Sequence, residues 1–197
     1  VNDEGEQGLV SLETALRATC APNRVLDLLA NFVAYVEMPG GLVKALAKNH
    51  QFLGVNNTID AIREAKQRDG RLGVFWHTQG SGKSLSMLWF TQKVLRTMPG
   101  NWTFVMVTDR KELDHQLYET FVDADAVTTG TNVHAETSAH LRELLSVDHR
   151  YVFTLIHKFI PAEPDAEMPV LSDRDDIVVI TDEAHRSQYD TLAMNMR

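Results

Sequence analysis

The chain has 197 residues, 44% of them hydrophobic, and 19 Lys+Arg against 27 Asp+Glu leave a net charge of −8. This composition supports an ordinary buried core and excludes wholesale disorder and fibrous repeats, and no apolar run approaches the ~20 residues of a membrane-spanning helix. A single cysteine, Cys20, excludes an internal disulfide and a multi-cysteine zinc site, so the expectation is a cytoplasmic protein with no membrane partner.

In chain order, Leu9, Leu12 and Leu16 recur at helical spacing, and so do Val25, Leu28, Leu29, Phe32 and Val36 after Pro22. They predict two helices over residues 9–36, the second with Pro22 in its first turn. Pro39-Gly40-Gly41 breaks the pattern. A short helix is expected over Leu42–Lys48, and a longer one from about Gln51 to Arg68 with Phe52, Val55, Ile59 and Ile62 on one face.

From Gly70 apolar strands alternate with amphipathic helices. Leu72–Trp76 reads as a strand, followed by the loop HTQGSGKS and a helix over Leu85–Met98 that ends at Pro99-Gly100. TFVMVT (103–108) is an apolar strand, and Asp109 with Glu112 resembles a capping box opening a helix that carries Leu113, Leu117 and Phe121. A short strand is expected at Ala126–Thr129, a helix at Ser138–Leu145, strands at Tyr151–Ile156 and Ile177–Thr181, and a surface loop over Pro161–Asp176. The alternation predicts an α/β fold with a parallel sheet covered by helices on both faces.

Two motifs carry chemistry. Gly80-Ser81-Gly82-Lys83-Ser84 is the second half of the P-loop pattern, with His77 where the first glycine usually stands. Small residues let backbone N–H groups wrap a phosphate at a helix N-terminus. Lys83 then reaches the outer phosphates, the Ser84 hydroxyl suits Mg²⁺, and Thr78 and Gln79 complete the loop. The second motif, Asp182-Glu183-Ala184-His185, directly follows the strand IVVIT. An acid at the carboxyl end of a buried parallel strand sits where such sheets take ligands. Asp182 suits Mg²⁺ through its water, and Glu183 suits the attacking water. Together the motifs predict a P-loop NTPase lobe that takes ATP or a related triphosphate with Mg²⁺.

GVFWHTQGSGKS, TDRKELDHQ, TLIHKF and ITDEAHRSQYD together resemble a DEAH-type superfamily 2 helicase motor, in particular the motor (R) subunit of type I restriction enzymes, and KNHQFLGVNNTIDAI resembles the segment before its P-loop. In that family a first P-loop glycine is not required. The resemblance implies a RecA-like lobe over residues 50–197, preceded at 1–49 by a helical linker from a nuclease domain. It implies Lys83 and Glu183 as catalytic residues, His185 as the coupling residue, and Gln51 as the reader of the adenine edge; an ordinary helix glutamine is the alternative. Arg110, Thr154 and Lys158, with Thr108 and His157 beside them, are implied contacts to the nucleic-acid backbone, whereas Asp109 is equally explained as a helix cap.

The intact protein would hydrolyse Mg-ATP to translocate double-stranded DNA before cleavage, working with methylation and specificity subunits and with its own second motor lobe and nuclease domain. Only twelve residues follow His185, which leaves no room for a second lobe, so a fragment with little activity of its own is expected. Another superfamily 2 helicase or remodeller, and a nucleotide-dependent interaction module, are the competing readings. The charge sharpens this: residues 1–100 hold 11 basic and 9 acidic side chains, residues 101–197 hold 8 and 18. The acidic excess is local, so it leaves DNA as a partner and predicts poor DNA binding by these residues alone.

Overall fold

A computed structural model describes residues 16, 19–76, 78, 80–159 and 170–182. The chain divides into two compact units, Val1–Thr97 and Met98–Arg197; the division falls inside the lobe expected over 50–197.

The first unit is built on helices. α1 (Pro22–Asn31) has proline at its start, as expected, because the missing N–H costs nothing there. It ends at Asn31, and Phe32 turns the chain into an antiparallel hairpin of β1 (Val33–Met38) and β2 (Gly41–Leu46). Two expectations are corrected here: Val36 lies in a strand, and Leu42–Lys48 is no helix. Pro39 cannot sit inside a helix, and with Gly40 it forms the turn between segments rich in Val and Tyr, which favour strands. Gly41, just past the turn, has a left-handed φ of 108°. Of the earlier helix expected around Leu9, Leu12 and Leu16, residues 16, 19 and 20 alone are described, and all three are helical.

α2 (Asn49–Arg63) buries Phe52, Val55, Ile59 and Ile62, the expected face, and a 3-10 turn at Ala65–Arg68 follows it. α3 (Lys83–Thr97) begins inside the GKS motif. Phe32, fully buried, packs at a tilt against Phe52 at 4.7 Å and Trp89 at 6.4 Å, joining α1, α2 and α3 in one apolar cluster. Trp89 therefore packs these helices together.

The expected strand at Leu72–Trp76 is not formed. Its backbone is irregular, and Val74 and Trp76 are 81% and 82% exposed. An apolar run becomes a strand only where a neighbouring strand takes its N–H and C=O groups, and among the described residues no strand pairs with it. Phe75 lies instead so close to α2 that a Cβ on Gly54 would sit 1.8 Å from its ring.

The second unit is a three-stranded parallel sheet. β3 (Thr103–Thr108) lies between β4 (Tyr151–Leu155) and β5 (Ile177–Thr181). Every residue of β3 and β4 is buried, as their unbroken apolar character requires. α4 (Lys111–Asp123) covers one face, where Phe121 meets Tyr151 and Phe153 edge-on at 5.2 and 5.7 Å. α5 (Ser138–Ser146) covers the other, with Leu141, Leu144 and Leu145 against Val105, Val107 and Val152. The expected α/β architecture is present, helices on both faces of a parallel sheet.

Local corrections follow in this unit. Ala126–Thr129 is turn and bend; the extra extended residue is His134, bridged to Phe153, with Val133 and Ala135 completing the backbone bonds. α4 is capped by Arg110 without a side-chain bond, so Asp109 is not its cap. In the acidic loop, residues 160–169 lie outside the described residues. Asp176 is more than solvated surface: it accepts from Arg174 Nε at 2.9 Å and from Asn101 N at 3.2 Å, and Arg174 also donates to Thr103 Oγ1 at 3.0 Å. This network pins the entry to β5 against that of β3. Among the described residues no helix is long and apolar enough to cross a membrane.

Candidate functional site

In the first unit the loop of the GKS motif turns through Gly80 (φ 74°) and Gly82 (φ 87°), both left-handed, a region where a Cβ is strained. Ser81 N and Oγ donate to Thr78 O at 3.2 and 2.6 Å, closing a tight turn. Lys83 is the first residue of α3, and Ser86 N donates back to Gly82 O at 3.1 Å. The loop thus runs straight into a helix N-terminus, where unsatisfied N–H groups and the helix dipole favour an anion. Lys83 and Ser84 are both half-buried there. These residues fit a phosphate chain: open backbone at two glycines, a helix start, a cation and a hydroxyl. His77 and Gln79 lie outside the described residues.

Gln51 comes to this loop from α2, 31 residues away in sequence. Its Nε2 donates to Gly82 O at 3.0 Å and to Ser81 O at 3.4 Å, while its Oε1 accepts from Lys48 N at 2.8 Å. The carboxamide thus bonds at both ends within the chain, to the start of α2 and to the loop.

Farther along the same unit lies a polar cluster that sequence reasoning missed. Lys93 Nζ reaches Asp27 at 2.5 and 2.6 Å and Asn56 Oδ1 at 2.6 Å, and sits 4.9 Å from the centre of the Phe32 ring. Burial pushes the Asp27 carboxyl up, but hydrogen bonds from Lys93, Asn31 and Asn56 and the Lys93 charge outweigh it and hold the carboxyl below its ordinary value. Three residues far apart in sequence and without a motif left no signal for it.

In the second unit the carboxyl ends of the three strands share one edge. β3 delivers Thr108, Asp109 and Arg110, β4 leads to His157 and Lys158, and β5 to Asp182. Asp182 N donates to Val107 O at 2.9 Å, which extends the ladder and pins the start of the DEAH motif beside the end of β3. Glu183 and His185 lie outside the described residues. Arg110 is exposed and forms a long ion pair with Asp109 at 3.7 Å. Burial and the neighbouring Lys158 and Lys111 charges push the His157 imidazole down, so it is largely neutral at pH 7.

Thr154 departs from its expected place. It lies inside β4, 2% exposed, with its hydroxyl unpaired. A strand covered on both faces offers no surface there, so Thr154 is not positioned to touch DNA. The edge holds another group that the sequence did not single out: Asp114 accepts from Thr108 Oγ1 at 3.4 Å and lies 2.9 Å from His134 Nδ1, and the His134 ring packs 4.5 Å from Tyr118 and 5.4 Å from Phe153. The only sequence signal was the acid in the first turn of the helix after β3.

Comparison with known proteins matches these features to a family. Residues 50–197 match the SWI2/SNF2 ATPase family. The chain is 40% identical over 184 residues to the type I restriction enzyme HindI endonuclease subunit of Haemophilus influenzae, covering 90% of this chain and 17% of that protein. It is 34% identical over 194 residues to the putative type I restriction enzyme MjaIXP endonuclease subunit of Methanocaldococcus jannaschii, covering 95% of this chain and 18% of that one. It is also 33% identical over 210 residues to the C-terminal part of the putative MpnIIP endonuclease subunit of Mycoplasma pneumoniae, covering 88% of this chain and 95% of that polypeptide. The chain thus spans less than a fifth of the length of the first two relatives. By its GKS loop, its DEAH-bearing parallel sheet and these matches, the chain belongs to the SWI2/SNF2 ATPases and, among them, to the endonuclease subunits of type I restriction enzymes.

Proposed function

We propose that this chain is the first ATP-handling lobe of a motor that translocates double-stranded DNA for a type I restriction endonuclease. The observation that carries the reading is the loop from Gly80 to Ser84, with two left-handed glycines leading into the first residue of α3. Such a loop grips phosphates through backbone N–H groups, and Lys83 adds the positive charge that the outer phosphates need.

Ser84 and Asp182 each suit Mg²⁺, which supplies charge neutralisation for the transferring phosphoryl group when bound. Glu183 orients the attacking water and accepts its proton. His185 couples nucleotide state to a partner domain, and Arg110 and Lys158 give a modest grip on DNA phosphates. Residues 1–49, with α1 and the β1–β2 hairpin, join this lobe to a nuclease domain. A second motor lobe and the methylation and specificity subunits complete the enzyme. The names of the relatives support restriction over chromatin-type remodelling as the setting.

The direct test is Lys83→Ala in the full-length protein, with ATP binding followed by calorimetry. Loss of measurable binding is expected; unchanged affinity refutes the phosphate-loop assignment. These residues alone should turn over slowly, because an arginine supplied from a partner is worth ~10³–10⁵ in rate in related phosphoryl transfers. Robust DNA-stimulated hydrolysis by residues 1–197 refutes that expectation.

A further inference from the structure

We infer that the outer face of the β1–β2 hairpin is a seat for an apolar surface of another domain of the same polypeptide, outside residues 1–197. The inference rests on the reading above that these residues belong to a longer chain, and it names one surface through which they meet the rest.

The strand register sorts the hairpin's side chains onto two faces. Ala34, Val36 and Ala45 lie on the inner one, buried or half-buried. On the outer one Val33 faces Leu46, Tyr35 faces Lys44 and Glu37 faces Leu42. Tyr35, Leu42 and Leu46 are 55%, 66% and 55% exposed there. Of the thirteen large apolar side chains exposed among the described residues, seven fall between Leu26 and Leu46. A two-stranded hairpin is marginal by itself in water, and among the described residues no third strand pairs with it.

Its base is firmly held. Phe32 O accepts from Ala47 N at 3.0 Å, which ties the two ends of the hairpin together. α1, which leads into it, is fastened to α3: Lys93 reaches Asp27, and Arg96 Nη1 donates to Ala30 O at 2.8 Å, satisfying a last-turn carbonyl. A surface held in this way receives a partner without first having to be ordered.

Chemistry and size narrow the occupant. The two strands carry one acid, Glu37, and one base, Lys44, so the face has no net charge to draw a nucleic-acid backbone. Six residues per strand at ~3.3 Å each, with the strands ~4.8 Å apart, present a face of about 200 Å². That falls well short of the ~800 Å² per partner of a stable association between separate molecules. A tether removes the shortfall, because it holds the partner at an effective concentration on the order of mM. The hairpin also lies outside residues 50–197, which match the ATPase family, yet inside the stretch shared with the MjaIXP subunit, which takes in 95% of this chain. More than four-fifths of that relative lies beyond the shared stretch, ample polypeptide to supply such a partner.

The test uses the full-length protein. Leu42→Cys and Tyr35→Cys are each labelled with a maleimide, and the rate at that position is read by peptide mass, native and in urea. Backbone hydrogen exchange over residues 33–46 of the wild type is followed alongside, without any substitution. In monomeric protein, labelling slower by about tenfold or more in the native state than in urea is expected, with exchange slowed to match. A smaller slowing leaves the face in solvent and overturns the inference. Protection lost on dilution, as dimers dissociate, assigns the face to a second copy and overturns it as well. So does protection that arises only when methylation and specificity subunits are added. A purified protein no larger than residues 1–197 would instead remove the longer chain, and with it the reading on which the inference rests.

Discussion

The two units of this chain are held together by different physics. The second, from Met98 onward, is a sheet of apolar strands with α4 and α5 pressed on its faces, and Phe104, Val105, Met106 and Val107 of β3 are at most 1% exposed. The first has a smaller apolar cluster around Phe32, Val55 and Trp89, and joins its elements through polar contacts: Lys93 to Asp27 and Asn56, Gln51 to Ser81 and Gly82. Its hairpin leaves Tyr35, Met38, Leu42 and Leu46 exposed. A sheet core resists small changes because its stability is spread over many contacts. A loop that must receive a ligand is instead set by a few directional bonds, each of which one substitution can remove.

The largest test of this contrast concerns chemistry. If Glu183 is the carboxylate that accepts the proton of the attacking water, Glu183→Gln in the full-length protein should cut ATP hydrolysis by about 10²–10⁴-fold, the usual worth of a general base. Nucleotide affinity should hold. Equal hydrolysis rates would instead mark a nucleotide-dependent binding module. Next in size is the sheet core: Phe153→Ala should cost about 3–5 kcal/mol in urea unfolding, through lost burial and the cavity left between α4 and β4.

In the first unit the matching experiment is electrostatic. Asp27→Ala leaves Lys93 unpartnered by a charge and should cost about 2–3 kcal/mol, below the ~3–5 of a fully buried pair because the Asp27 side chain keeps 23% exposure. The acid limb gives the sign. The folded Asp27 carboxyl titrates below its ordinary value of 3.8, so its contribution is full above that value and is lost as the pH falls through the folded pKa. Unfolding free energies measured from pH 7 downward should show a steeper acid loss in the wild type than in Asp27→Asn; identical acid limbs would remove the pair from the account. Smallest is the DNA edge. Arg110→Ala should weaken DNA binding evenly across sequences and reduce the salt slope by about one, as for one lost phosphate contact. A sequence-dependent loss would show that Arg110 touches bases.

How much of this was legible beforehand varied with the source of each signal. TFVMVT and YVFTL could be read as strands because strands buried on both faces are largely apolar, and IVVIT, half-buried beside β3, carries the same pattern. The burying face of α2 followed from its period, and Gly80-Ser81-Gly82-Lys83-Ser84 from the chemistry of phosphates. The segment from Val33 to Leu46 misled because short apolar runs fit either period, and Pro39-Gly40 reads as a break before it reads as a hairpin turn. Leu72–Trp76 misled for another reason. Its residues suit a strand, but a strand exists only with a partner.

Residue types and spacing therefore established the class of fold and singled out the loop at Gly80–Ser84 and the acid at the end of β5, because each follows from requirements that act along the chain. They could not establish what side chains touch across it. Gln51 stood out through family resemblance, yet its bonds to Ser81 and Gly82 depend on how α2 meets the loop. Thr154 seemed a surface contact until both faces of β4 were covered, and Asp27, Asn56 and Lys93 meet only when three helices pack. Periodicity and motifs are local, whereas a hydrogen bond between distant residues is a fact of distance and angle, and those exist only once the chain has folded.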